Sequence, residues 1–272
     1  MRLGFASPSA TGAVPPDVRW MNAASLALLG AFGVLLLAAG LGWLLRQPSI
    51  VLSGITVTGD VTHNNAVTLR ANVAPRLRGN FFTMDLSQAR AAFESVPWVR
   101  RAVVRREFPN RLRVELQEHK AVALWGSEGE SRLVNSFGEV FDANVGDVEQ
   151  EDLPRLDGPD AVAARRVLEL FHLITPVLAR LDLSVQQLVQ TAGGSWQATL
   201  ESGAVIALGR GSNEELVARV ERFAQTLTQV AGRYGRRVDA IESADLRHPN
   251  GYAIRLRGVS TVAETSRNAN TR

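Results

Sequence analysis

The sequence predicts an α+β protein: a single transmembrane helix, a small β-α-α-β-β domain and a second, mainly antiparallel-sheet α+β domain. Three observations carry this expectation. Residues 23–45 form an uncharged apolar run, "RLRVEL" at 111–116 alternates with period two, and apolar residues recur at helical spacing from 216 to 230. A chain of 272 residues that is 46% hydrophobic can fill two modest cores, which argues against global disorder.

The run "AASLALLGAFGVLLLAAGLGWLL" (23–45) exceeds the roughly 20 residues a helix needs to cross a ~30 Å hydrocarbon layer. A cleaved signal peptide is the competing reading. Its apolar core is shorter, however, and here Trp43 and Arg46 close the run as interface anchors. Arg2, Arg19 and the terminal amine precede the run, whereas Arg46 follows it and the next basic residue is Arg70. That bias places the N-terminus in the cytoplasm and residues from 47 onward outside it. Residues 1–22, rich in Ser, Ala, Gly and Pro, read as a cytoplasmic tail.

Residues 50–119 form the first domain. "ITVTG" at 55–59 alternates as a short strand, and Asn64 or Asn65 opens a helical stretch through Val67 and Ala71. Asp85 caps a second helix with Gln88 three residues on, and Leu86, Ala89, Phe93 and Val96 make its apolar stripe before Pro97. "WVRRAVVRREF" is too β-branched for a helix. A Phe-Pro-Asn turn then leads into "RLRVEL", with Leu112, Val114 and Leu116 facing one way and Arg111, Arg113 and Glu115 the other.

Residues 120–257 form the second domain. "RLVNSFGEVFDA" makes two short strands about Ser136-Phe137-Gly138, and residues 161–174 a helix that Pro176 breaks or kinks. "SWQATLESGAVIALG" is a hairpin about Ser202-Gly203. Ser212 or Asn213 caps a long helix whose Leu216, Val220, Phe223, Leu227 and Val230 face the core up to Gly232. "IESADLRHPNGYAIRLRG" is a last hairpin about Pro249-Asn250-Gly251, and residues 258–272 read as a disordered tail. The terminal strand from Tyr252 to Leu256 is a natural sheet edge. Physics alone leaves it open whether that edge is merely protected or is used to pair with another chain.

Charge divides along the same boundary, with 11 Lys/Arg against 6 Asp/Glu in residues 50–120 and 13 against 19 in 121–256. Two domains with different partners follow. With no cysteine there is no disulfide framework, thiolate metal site or cysteine nucleophile. His63, His119, His172 and His248 lack metal-ligand spacing, and "LGRGSNEE" lacks the glycine spacing and lysine of a phosphate loop. The acids at 149–152 read as a solvated loop. No enzyme, metal or cofactor is expected.

"ITVTGDVTHNNAV" together with the stretch from Asn80 to Trp125 resembles the POTRA domain of the FtsQ/DivIB family of cell-division proteins. The most specific part comprises Pro97, Trp98, Val99, Val104, Arg105, Arg106, Pro109, Leu112, Val114, Glu118, Ala123 and Trp125, with Ala121 where many members carry proline. "RLVNSFGEVFD", "LPRLDGPD", "LGRGSNEELVARVERFAQTL" and "DLRHPNGYAIRL" continue the resemblance in family order to about residue 256.

The resemblance implies a non-enzymatic bitopic scaffold at the septum of the inner membrane, its bulk periplasmic. It would bind FtsB and FtsL, with FtsK and the septal synthase FtsW/FtsI as further partners, and control septal peptidoglycan synthesis. It also implies that FtsB adds a strand at the last hairpin, which carries over Arg247, His248, Asn250, Gly251, Tyr252 and Ile254. His248 and Pro249 depart from some members. Arg105, Arg106, Arg111 and Arg113 are the candidate recruitment surface on the POTRA domain.

Two other functions compete. A POTRA-bearing outer-membrane assembly or secretion factor needs a downstream β-barrel, and only 153 residues follow the first domain. A nucleic-acid module needs exposed aromatics beside the arginines, and Trp98 and Phe108 sit where core packing is expected.

Overall fold

The computed structural model of the chain describes residues 16–45, 52–77, 80–127, 129, 132–148, 153–249 and 251–259. Residues 1–15, Arg46, the acidic loop at 149–152, Asn250 and the tail from 260 lie outside the described residues.

Helix α1 (Pro16–Leu45) begins seven residues before the expected span. Proline suits the first helical position and Asp17 favours the positive end of the helix dipole, so the polar residues ahead of the apolar run become its first turns. Leu28, Leu29, Phe32 and Leu35 are all exposed, and the stretch from Asp17 to Trp43 is long and apolar enough to cross a membrane.

The first domain runs β1 (Gly54–Gly59), α2 (Ala66–Val73), α3 (Leu86–Glu94), β2 (Val99–Glu107) and β3 (Arg111–Glu118). This is the β-α-α-β-β order expected, folded into a sheet of order β1-β3-β2. The β2–β3 hairpin is antiparallel, and β1 enters parallel to β3 with Ile55 opposite Leu112 and Val57 opposite Val114. Asp85 caps α3 by accepting from the Ser87 and Gln88 amides. Leu112, Val114 and Leu116 are buried under Ala89, Phe93 and Val96, and the other sheet face is open.

The second domain is built on β4 (Ala121–Trp125), β5 (Arg132–Asn135), β6 (Val140–Phe141), β7 (Arg155–Asp157), β8 (Val185–Gln190), β9 (Trp196–Leu200), β10 (Val205–Gly209), β11 (Ile241–Asp245) and β12 (Ala253–Leu256). They form one sheet of order β12-β11-β10-β9-β8-β7-β4-β5-β6. Helix α4 (Ala164–Ala179) lies between β7 and β8 in the chain, and α5 (Asn213–Arg233) between β10 and β11. Both strand pairs are parallel, as such crossovers require, so the sheet is antiparallel for most pairs but mixed.

The apolar stripes of α4 and α5 bury Val167, Leu170, Ile174, Leu216, Val220, Phe223 and Leu227 in one core against the sheet. Ser212 and Glu215 form a reciprocal capping box at the start of α5. Pro176 does not break α4, which continues to Ala179.

Only His119 and Lys120 separate β3 from β4, and a set of long-range contacts fixes the junction. Trp98, in a left-handed conformation (φ 71°), stacks on His63 with ring centroids 3.9 Å apart and meets Phe141 edge-on. It also donates from Nε1 to Asp147 (3.2 Å). The backbone amides of His63 and Asn64 and the Asn64 side chain all donate to Glu118. Burial opposes the charge on Glu118, and these hydrogen bonds outweigh it, so its carboxyl sits below the usual range. Arg100 grips Glu139 through two bonds of 2.7 and 3.0 Å while lying over the Phe137 ring. Chiefly because of Arg100, the Glu139 pKa falls to about 2.

Candidate partner-binding edge and the basic sheet face

Strand β12 is the last element of the nine-stranded sheet and pairs with β11 alone. The register sets Ala253 opposite Asp245, Ile254 opposite Ala244, Arg255 opposite Ser243 and Leu256 opposite Ile241, with an irregularity at Glu242. Just past the strand, the Arg257 amide donates back to Ala240 (2.8 Å). Because amides alternate in direction along a strand, those of Ile254 and Leu256 point to the unpaired side. The edge thus offers donors and acceptors at strand spacing, and no strand covers it among the described residues.

The side chains carried over from the resemblance divide by role. Tyr252 turns inward: its ring packs edge-on against Phe223 at 5.0 Å and its hydroxyl pairs with Thr226 at 2.8 Å. Ile254 is half-buried against the same core. Arg247 is committed to Asp245, donating its amide and guanidinium within the turn. That clasp holds the Asp245 pKa at about 2. The Arg247 stem also lies over Gly209, where an added Cβ would come within 2.9 Å of its Cγ. His248 and Gly251 are exposed, and Asn250 lies outside the described residues. Pairing at this hairpin would therefore use mainly backbone, with Ala253 and Arg255 as the outward side chains on β12.

Sequence reasoning missed the brace behind the hairpin. Arg222 donates to the Pro249 carbonyl (2.8 Å), Thr226 holds Tyr252, and Arg219 donates to the Leu208 and Arg210 carbonyls. The signal was present as a polar row at 219, 222 and 226, spaced three and four along α5 beside the apolar stripe.

The four arginines of the first domain are not one surface. Arg105, Arg111 and Arg113 are exposed on the open face of the sheet, with Arg105 directly opposite Arg113. Arg106, one residue along β2, points to the helical side and donates to the carbonyls of Phe81 (2.7 Å), Met84 (2.6 Å) and Phe82 (3.4 Å). It ties the loop before α3 to the sheet. Period-two alternation, applied to β2 as it was to β3, separates residues 105 and 106.

No cluster of three or more metal-ligating side chains occurs among the described residues. The geometry offers positioned backbone and charge, which is the chemistry of binding. Fold and surface together define a class, a POTRA-bearing α+β protein with one candidate membrane span and a larger sheet open at its final strand.

Comparison with known proteins narrows the class. Residues 52–119 match the family described as POTRA domain, FtsQ-type, and residues 123–247 match Cell division protein FtsQ/DivIB, C-terminal. Over 252 residues the chain is 39% identical to cell division protein FtsQ of Burkholderia pseudomallei, covering 92% of this chain and 98% of that one. It is 39% identical over 250 residues to FtsQ of Thiomonas arsenitoxydans, 90% of each, and 36% identical over 262 residues to FtsQ of Bordetella pertussis, 88% of this chain and 92% of that one. The chain belongs to the FtsQ/DivIB family of cell division proteins.

Proposed function

We propose that the chain is a non-enzymatic, single-pass scaffold of the division machinery in the inner membrane. Its N-terminus lies in the cytoplasm, and its two folded domains lie in the periplasm at the septum. The free edge of β12 carries this reading: it receives an extended segment of a single-pass partner of the FtsB type, held with FtsL in a ternary complex. Affinity comes from main-chain bonds along β12 and selectivity from the side chains around the turn. The POTRA domain provides a second contact for recruitment, with FtsK as the upstream partner. The septal synthase FtsW/FtsI is controlled through the complex. The mechanism is placement, with no chemical step.

Depletion in cells tests the proposal. Loss of the protein should give long, unseptated filaments, rescued by the full chain and not by a chain truncated before β12. Normal septation after depletion would overturn it.

A further inference from the structure

The tip of the β2–β3 hairpin is bonded to the chain just after the membrane helix. Ser53 donates its amide to the Asn110 carbonyl (2.9 Å) and its hydroxyl to the Asn110 side chain (2.7 Å). Eight residue steps separate Leu45, the end of α1, from Ser53, a reach of at most ~29 Å. This end of the domain is therefore tethered within one short segment of the bilayer surface.

The same end sets exposed aromatic rings beside basic side chains. Phe108 at the tip is 82% exposed, and Phe82, whose carbonyl accepts from Arg106, is 55% exposed. Beside them Glu107 pairs with Arg113, and among the described residues Arg105 and Arg111 have no ion pair on the open face. Aromatic rings at the headgroup level and uncompensated arginines are the two signals that together hold a peripheral surface on an anionic bilayer.

We infer that this tip docks on the anionic lipid surface from which α1 emerges, Phe108 entering the headgroup region while Arg105 and Arg111 meet lipid phosphates. The inference rests on α1 spanning the membrane. Docking fixes the orientation of the POTRA domain, and so the direction in which the second domain extends.

The absence of cysteine makes the test clean. The full chain carrying Phe108→Cys, or Val162→Cys on an exposed turn of the second domain as control, is labelled with a fluorophore. It is placed in nanodiscs holding a lipid-borne quencher, in phosphatidylcholine with or without phosphatidylglycerol. The label at 108 should be quenched well above that at 162, more so with phosphatidylglycerol. Each of Arg105→Glu and Arg111→Glu should lower the docked-to-free ratio about fivefold or more. Elution without the disc would overturn the spanning reading and docking with it. Retention in the disc with equal quenching at 108 and 162 would overturn docking alone. So would charge-reversed variants that keep full quenching yet fail to reach midcell, because they would assign the arginines to an acidic protein.

Discussion

Replacing Ile254 with proline separates edge pairing from folding. The Arg257 amide points to Ala240, so the Ile254 amide faces the open side of β12. Proline there removes no bond between β11 and β12, and an edge strand tolerates it at an outward amide. Ile254 is only half-buried, so Ile254→Pro should cost the fold about 1 kcal/mol, a Tm shift of about 2–4 °C for a domain of this size. An incoming strand would lose one main-chain bond, worth about 0.5–1.5 kcal/mol, and meet the proline ring at ~4.8 Å strand spacing. A combined loss of about 1–3 kcal/mol weakens binding roughly 5- to 150-fold.

Arg255→Pro removes an inward amide instead and should show the opposite balance, a larger fall in Tm. The assay titrates the full chain in nanodiscs with the periplasmic segment of an FtsB-type partner, alongside thermal unfolding of each variant. Wild-type affinity in a folded Ile254→Pro protein would rule out pairing along the β12 edge.

Other expectations follow from the same geometry. Arg106→Ala should destabilise the POTRA domain by about 1–3 kcal/mol in urea denaturation because it frees three carbonyls, whereas Arg105→Ala should stay within about 0.5 kcal/mol. Gly138→Ala should cost more than about 2 kcal/mol in Tm-derived stability, since φ is +76° and the new Cβ would lie 2.6 Å from the Arg165 backbone. Glu139 has a folded pKa near 2, below its ordinary 4.5, so its contribution is complete above about pH 4.5 and fades as pH falls toward 2. Glu139→Gln should therefore be less stable than wild type at neutral pH, by less than about 1 kcal/mol given its exposure, with the gap closing over that window in pH-dependent unfolding.

The POTRA domain was readable because its signals are local: the Asp85 cap, the alternation in β3 and the break at Pro97. The long apolar stripe of α5 was readable for the same reason. Strands β4, β7 and β8 were not. β7 has three residues, too few to show a period. In β8, Val185 and Leu188 are both buried three apart, a helix-like spacing that arises because a bulge between Val185 and Gln187 shifts the register. The parallel pairs β7–β8 and β10–β11 also depend on helices returning the chain to the sheet, a nonlocal event.

The junction lay further from view. His63, Trp98, Glu118 and Phe141 are up to 78 positions apart, and nothing in their spacing says that they meet. At the candidate edge the position of β12 was legible from its place at the end of the fold. The inward turn of Tyr252 was not, because it depends on Phe223 and Thr226 arriving from α5.

The most direct measurement is in-cell photo-crosslinking from single positions along β12, with Val140 on β6 at the opposite edge as control. Crosslinks to one single-pass partner are expected, strong from Ala253 and Arg255, weak from Ile254 and Leu256, which face the core, and none from Val140. No crosslink anywhere along β12, or equal crosslinking from β6, would contradict pairing at this edge.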